Sequence, residues 1–102
     1  MASHLLKWVH FETDARGRDL ELRYFRDVEG REVDFVVTED RRPIMLVEAK
    51  WSDAPADRTI RYLKRRFPSA QAFQIAATGR KDAMTSEGVH LMPASEFLRG
   101  LI

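Results

Sequence analysis

Two acids and one amine stand out in the sequence because they interrupt segments that are otherwise apolar. Asp34 lies within the segment VDFVV, and Glu48 and Lys50 follow the apolar run IMLV. Burial of such charges is costly unless a partner compensates them. A divalent cation would remove the repulsion between the acids, and carboxylate ligands favour Mg²⁺ or Mn²⁺. The lysine would then orient or deprotonate a water beside a phosphate.

The strands that carry these residues are predicted to form a hairpin with a polar turn between them. Glu48 and Lys50 are two residues apart, so their side chains share one face of a strand. Folding the hairpin brings Asp34 opposite Val47 or Glu48, so the acids can approach closely. An ExK triplet is also common by chance, and a plain ion pair between Glu48 and Lys50 is the alternative interpretation.

The remaining patterns predict an α/β domain with the order α-β-β-β-α-β-β-α. Hairpin-linked strands followed by a helix and more strands imply a mixed central sheet flanked by helices. The third strand is apolar on both faces until Glu48, as is typical of a central strand. The expected elements are a helix over 2–11, a turn over 14–19, strands over 20–26 and 32–38 with a turn at 27–30, a strand over 44–51, a helix capped by Asp53 and closed by Pro68, a strand over 71–78, a loop over 79–88, a strand over 89–92 and a last helix capped by Ser95.

The composition describes one small globular domain of 102 residues, with 44% hydrophobic and 32% charged residues. The net charge of +1 neither favours nor excludes a nucleic-acid partner. Cysteine is absent, which excludes disulfides, thiolate metal sites and cysteine nucleophiles. No apolar run has the length of a membrane span, and the N-terminus lacks a signal-peptide layout, so a cytoplasmic protein without a membrane partner is expected.

Beyond this chemistry, the sequence resembles a known nuclease family. Asp34, a hairpin and the triplet Glu48-Ala49-Lys50 look like the D-(x)n-ExK signature of PD-(D/E)XK nucleases. The segments HLLKWVHFE, LRYFRDVEGREVDFVV, VEAKWSDAP, RYLKRRFP and GVHLMPASEFLRGLI resemble the C-terminal nuclease-like domain of a group of prokaryotic AAA-type ATPases. The resemblance implies a restriction-endonuclease-like core, with Asp34 and Glu48 as metal ligands and Lys50 as the catalytic lysine.

The same resemblance implies further partners and one departure. In that group the domain follows an ATPase and a winged-helix segment, and this chain has no GxxxxGK[ST] loop of its own. The nuclease pattern places another acid on the first helix, expected just upstream of the segment ASH, so that helix is expected to be truncated here. Glu12 is expected to lie too close to the first strand to replace it. DNA, an upstream ATPase domain and a second copy in a homodimer are the implied partners.

Basic residues outside the triplet are candidate phosphate contacts. Arg61, Lys64 and Arg65 on the second helix could follow a nucleic-acid backbone, and Arg23 could reach a phosphate. For the three residues of the second helix the alternative is a solvated basic face. For Arg23 it is pairing with nearby acids. Trp51 is expected to cover the core rather than to stack on a base.

Two functions follow from these observations. The first is a Mg²⁺- or Mn²⁺-dependent deoxyribonuclease, or a domain derived from one, in which Asp34 and Glu48 hold the cation and Lys50 stabilises the reacting phosphate. The second is a catalytically silent nuclease-fold interaction module, which the missing upstream acid favours.

Overall fold

The computed structural model describes residues 2–26 and 32–101, and within them the side chains of residues 4–23 and 35–101. In these ranges three helices flank one six-stranded sheet, and none of the helices is long and apolar enough to cross a membrane. The elements are α1 (Ala2–Arg16), β1 (Leu20–Arg26), β2 (Glu32–Glu39), β3 (Arg42–Lys50), α2 (Arg58–Arg66), β4 (Gln71–Ala76), β5 (Ala83–Met84), β6 (Val89–Pro93) and α3 (Ala94–Gly100).

The sheet combines antiparallel and parallel pairing in the spatial order β1-β2-β3-β4-β6-β5. The first three strands pair antiparallel, β3, β4 and β6 pair parallel, and β5 returns antiparallel to β6. A parallel pair needs a crossover connection, and α2 supplies it between β3 and β4. The α/β class and the mixed sheet flanked by helices are therefore confirmed.

Two apolar cores lie on opposite faces of the sheet and meet at β3. Met45 and Val47 belong to the core that α1 and α3 cover, whereas Leu46 belongs to the core beneath α2. All three side chains are at most 7% exposed. This double burial explains why the sequence of β3 is apolar on both faces, and it makes β3 the central strand that was expected.

The first helix is longer than the sequence analysis predicted, since it continues through residues 12–16. The prediction of a turn from residue 14 was therefore wrong. Glu12 is buried and forms an i,i+4 ion pair with Arg16, which stabilises the last turn. The helix ends at Gly17, whose φ of +67° is a conformation that glycine adopts without strain.

Smaller corrections concern the C-terminal half. The expected loop over 79–88 contains the two-residue strand β5, which is too short to produce an alternating pattern. β4 ends at Ala76 rather than at residue 78, and α3 begins at Ala94 after the cap residue Pro93 rather than after Ser95. The turn predicted at 27–30 lies outside the described residues.

Candidate functional site

Glu48 and Lys50 lie at the carboxyl end of β3, on the sheet face that α2 covers. Strand alternation places both side chains on the same face as Leu46, whose core includes residues of α2. The Glu48 side chain is buried at 2% exposure, and its Oε1 lies 3.4 Å from the Lys50 Nζ. The structure therefore brings together an acid and an amine that the sequence analysis selected.

Asp57 is a third member of this site that the sequence analysis missed. The Lys50 Nζ donates to Asp57 Oδ2 at 2.8 Å, while Asp57 Oδ1 accepts from the backbone N–H of Thr59 at 2.9 Å. Asp57 is thus the N-cap of α2, and the prediction that Asp53 caps this helix was wrong. The apolar stripe of α2 begins at Ile60, and this late start favours Asp57 as the N-cap. Pro55 suggested an earlier helix start and so led to the prediction of Asp53.

Gln74 fixes the loop that leads into α2. This β4 side chain is 3% exposed, and its Oε1 accepts from the Asp57 backbone N–H at 2.7 Å. Its Nε2 donates to the carbonyl oxygens of Ala54 at 3.2 Å and Pro55 at 3.0 Å. In the sequence, a glutamine inside the apolar strand QAFQIA was the available signal, because a buried amide requires several partners. Gln74 therefore determines where Asp57 meets Lys50.

The electrostatics of the pair favour the charged form of both groups. The hydrogen bond to Asp57 raises the pKa of Lys50 above its ordinary value of 10.5, and the charge of Glu48 acts in the same direction against partial burial. The same hydrogen bond lowers the pKa of Asp57 below 3.8. Lys50 is consequently an ammonium at neutral pH. The sequence analysis considered two roles for this lysine, orientation of a water or its deprotonation. Deprotonation requires a neutral amine, so the ammonium favours orientation and stabilisation of negative charge.

Asp34 lies on β2, but its side chain is outside the described residues. In the antiparallel backbone register Phe35 pairs with Val47. Asp34 precedes Phe35 and Glu48 follows Val47, so the register leads these two positions toward each other. Among the side chains that the structure describes, no group of three or more histidines or acids could hold a metal ion. Mg²⁺ retains several waters and needs only one or two carboxylates, and the buried Glu48 carboxylate is a hard oxygen donor of the required kind. Glu48 therefore supplies one oxygen ligand of the kind that such a cation takes.

The basic residues of α2 form contacts within the chain. The Arg61 Nε lies 2.6 Å from Glu87 Oε1, and Arg65 is 3.9 Å from the other oxygen of the same carboxylate. The Lys64 Nζ donates to two backbone carbonyl oxygens of the loop after α2. The alternative considered for these residues was a solvated basic face, and the structure adds an ion pair between Arg61 and Glu87 to it.

Arg23, the fourth candidate for a phosphate contact, lies on β1. Its guanidinium is 2.7 Å from the carboxylate of Glu21, two residues away on the same strand, and both side chains are more than half exposed. An exposed pair of this kind contributes little to stability. Arg23 therefore remains accessible to an anion, although the structure places it on a strand separated from β3 by β2.

Glu12 belongs to a separate charged cluster at the opposite end of the sheet. Its Oε2 is 3.4 Å from Arg16 and 3.6 Å from Arg18, and Arg18 is 2.7 Å from Glu39, whose pKa it lowers. Glu39 pairs with Arg42 at the amino end of β3, about 26 Å from Lys50 at roughly 3.3 Å per strand residue. Glu12 is thus a structural acid and is too remote to share a cation with Glu48.

Trp51 does not cover the core, contrary to the expectation from the sequence. Its side chain is 80% exposed, immediately after Lys50. Its carbonyl oxygen accepts hydrogen bonds from the backbone N–H of Thr78 at 3.0 Å and from the Thr78 hydroxyl at 2.7 Å. Because β3 ends at Lys50, the next residue has passed the edge of both apolar cores. An indole therefore stands in solvent beside the candidate site.

Comparison with known proteins identifies the family of the chain. A family model described as a domain of unknown function, DUF4143, matches residues 1–97 of the 102 residues. Neither the search of curated proteins nor the search of solved structures found a match. Since the family model spans nearly the whole sequence, the chain belongs to the DUF4143 family.

Proposed function

We propose that this domain is a Mg²⁺- or Mn²⁺-dependent deoxyribonuclease with a restriction-endonuclease-like core, or a descendant of such an enzyme. One observation carries the proposal: the buried carboxylate of Glu48 lies beside the Lys50 ammonium at the carboxyl end of a central strand. Burial of a carboxylate costs free energy, and a functional role at this strand end accounts for it. The D-(x)n-ExK spacing and the register that leads position 34 toward Glu48 support the same proposal.

In this mechanism Asp34 and Glu48 hold the cation, which supplies water activation and neutralises charge on the phosphate when it is bound. Lys50 acts as a fixed cation that stabilises the negative charge developing on the phosphate oxygens. Asp57 keeps Lys50 protonated and, through its place at the start of α2, determines where the ammonium lies. Asp57 is a positioning residue rather than a metal ligand. DNA, an upstream ATPase domain and a second copy of the chain are the partners of this proposal.

A second function, a catalytically silent interaction module, is favoured by a different observation. The Lys50 ammonium already lies 3.4 Å from Glu48 and 2.8 Å from Asp57, a set of partners that explains its charge without any substrate. In this reading the three side chains hold α2 against the strand ends, and the domain docks to another protein or to nucleic acid.

Plasmid nicking with Mg²⁺ or Mn²⁺ distinguishes the two functions. The nuclease should nick DNA, and Asp34→Ala, Glu48→Gln and Lys50→Met should each reduce the rate by about 100-fold or more. Two matched controls carry the same chemical changes elsewhere: Glu96→Gln on α3 and Lys7→Met on α1, both exposed in the structure. Equal activity in the wild type and the Asp34, Glu48 and Lys50 variants would identify a contaminant and end the nuclease proposal.

Titration calorimetry with Mn²⁺ gives a second readout that does not depend on activity. The nuclease proposal expects saturable binding that Glu48→Gln removes and Glu96→Gln preserves. The silent module expects no heat of binding at millimolar Mn²⁺ and no DNA cleavage.

A further inference from the structure

An exposed rim continues β3 beyond the candidate site. We define this rim as Trp51, Arg80 and Lys81, all of which are exposed. Trp51 is 80% exposed, a larger fraction than for Phe11 or Tyr62. It directly follows Lys50 in the sequence. A flat aromatic group with a positive charge beside it is the combination that stacks on nucleobases and holds phosphates.

The backbone of the rim is rigidly attached to β4. The carbonyl oxygen of Lys50 accepts from the Ala77 N–H at 2.9 Å, and that of Trp51 accepts from both the N–H and the hydroxyl of Thr78. The parallel pairing of β3 with β4 is therefore extended past the ends of both strands. Because this backbone is already held, a ligand that binds Trp51 needs to order only the side chain.

Asp53 holds the backbone of the two basic residues of the rim, Arg80 and Lys81, by hydrogen bonds. Its Oδ2 accepts from the Arg80 N–H at 3.0 Å, and its Oδ1 accepts from the Lys81 N–H at 3.3 Å. A Cβ at Gly79 would overlap both Asp53 Oδ1 and the Ala76 side chain, so the close approach of the two loops requires glycine at this position. The carboxylate of Asp53 thus accepts hydrogen bonds from backbone N–H groups, while Arg80 and Lys81 are exposed.

One residue of the rim, Lys81, adjoins the candidate site. Lys81 and Lys50 line one small depression together with Asp53 and Gln74. A phosphate held at Lys81 would therefore lie close to Lys50.

From this placement we infer that the rim binds single-stranded nucleic acid, with a base stacked on Trp51 and the backbone held by Arg80 and Lys81. This inference rests on the proposed nuclease function, whose substrate it specifies. A single strand fits better than a duplex because its base faces are accessible to the indole, whereas those of a duplex are stacked within the helix. The strand would then enter the site of Glu48 and Lys50 from this rim.

The test is a fluorescence titration of the full chain in EDTA, so that no cleavage takes place. In a Trp8→Phe background Trp51 is the only tryptophan, because the sequence contains two. Oligothymidylate should quench its emission in a saturable way, and a blunt duplex of equal length should bind at least about 5-fold more weakly, the lower limit for one stacked base.

Variants measured by anisotropy with a labelled oligothymidylate separate stacking from charge. Trp51→Ala should weaken binding by about 5- to 160-fold and Trp51→Phe by less, since one stacked base contributes about 1–3 kcal/mol. Arg80→Gln with Lys81→Gln should lower the slope of log affinity against log salt by about 1.4, the value for two phosphates on a single strand. Phe11→Ala, an exposed aromatic residue on α1, is the control and should bind like the wild type. Circular dichroism verifies that each variant is folded.

Equal affinity of Trp51→Ala and the wild type would overturn the inference, and so would equal affinity for the duplex. If plasmid nicking requires Glu48 while oligothymidylate leaves Trp51 unquenched, the nuclease proposal stands and the rim inference fails. If the strand binds in EDTA but no metal supports cleavage, the rim is confirmed and the nuclease proposal fails. Absence of both activities would leave the exposed indole to a protein partner and overturn the inference as well.

Discussion

Lys50 lies between two carboxylates that reach it from different elements. Glu48 shares its strand, so strand periodicity alone was sufficient to place the two side chains on one face. Asp57 comes from the start of α2, and its contact with Lys50 depends on the buried amide of Gln74, which belongs to a further strand. Local spacing was sufficient to select Glu48 and Lys50 from the sequence. Asp57 was missed because its position depends on the crossover through α2, and no local pattern encodes the geometry of that crossover.

The Asp57 cap should contribute measurably to stability. Asp57→Asn keeps an acceptor for the Thr59 N–H but loses the charge beside Lys50, and should lower the free energy of unfolding by about 0.5–1 kcal/mol. Asp57→Ala loses the cap as well and should cost about 1 kcal/mol more. Urea denaturation of both variants beside the wild type measures the two steps. Indistinguishable midpoints for asparagine and alanine would show that the side chain does not cap α2 in solution.

The pH dependence of this pair follows from the directions of the two pKa shifts. The pKa of Asp57 is lowered from 3.8, so its contribution is present above 3.8 and is lost as the pH falls through the lower folded value. The pKa of Lys50 is raised from 10.5, so its contribution is present below 10.5 and is lost as the pH rises through the higher folded value. The stability difference between wild type and Asp57→Asn should thus be largest between these limits and shrink in acid. A difference that grows in acid would contradict the assignment.

At the scale of elements, α1 shows how a tertiary contact extends a helix beyond its sequence pattern. Its apolar face had been assigned to residues 2–11, and the polar residues that follow are typical of a turn. The ion pairs of the buried Glu12 with Arg16 and Arg18 stabilise one more turn, which is followed by Gly17. The pattern therefore predicted the start and type of the helix, whereas its end depends on Arg18 in the loop before β1, which Glu39 of β2 also contacts.

The placement of Glu12 predicts a structural effect without an effect on metal binding. Glu12→Gln removes the charge that faces two arginines and should lower the free energy of unfolding by about 1–3 kcal/mol. If the proposed site binds Mn²⁺, the affinity should remain within about 2-fold of the wild type, since Glu12 contacts Arg18, whose partner Glu39 pairs with Arg42 at the end of β3 opposite to Glu48. Chemical denaturation and calorimetry measure the two quantities. A large loss of Mn²⁺ affinity in a folded variant would place Glu12 at the metal after all.

The contact between the loop after β3 and the loop after β4 yields a prediction about Gly79. Gly79→Ala should separate Asp53 from the N–H groups of Arg80 and Lys81, at a cost of about 1–3 kcal/mol in the free energy of unfolding. Gly100→Ala is the matched control, because an added Cβ there meets nothing within 4 Å. Thermal denaturation compares the two variants. Equal melting temperatures would mean that the two loops are not closely packed in solution.

On the scale of the whole molecule, β3 and β4 both contribute buried side chains to the two cores. The mixed sheet, its flanking helices and the central position of β3 could be predicted because hydrophobic patterns and hairpin turns are encoded over short stretches. The short strand β5 could not, since two residues give no periodicity and its pairing with β6 is a tertiary property. Likewise, the exposure of Trp51 depends on where β3 leaves the cores, which residue type does not reveal.

Leu46 should be among the most sensitive apolar positions. Its side chain is fully buried beneath α2, and Leu46→Ala should cost about 2–5 kcal/mol in the free energy of unfolding, a large part of the total for a chain of this length. Leu6→Ala makes the same deletion at a side chain that is 43% exposed, and should change stability by less than about 1 kcal/mol. Urea denaturation of both variants provides the comparison. Similar losses at the two positions would contradict the burial of β3 on both faces.

Because β3 supplies side chains to both cores, its backbone cannot shift without disturbing the packing of one of them. The same strand ends in Glu48 and Lys50. Adjustments that one layer of helices makes to accommodate a substitution would be transmitted through this strand to the two charged groups. A laboratory selection for the folded domain should therefore accept changes on the outer surfaces of α1 and α3 far more readily than at successive positions of β3. Positions 45 to 50 should vary least among the selected sequences.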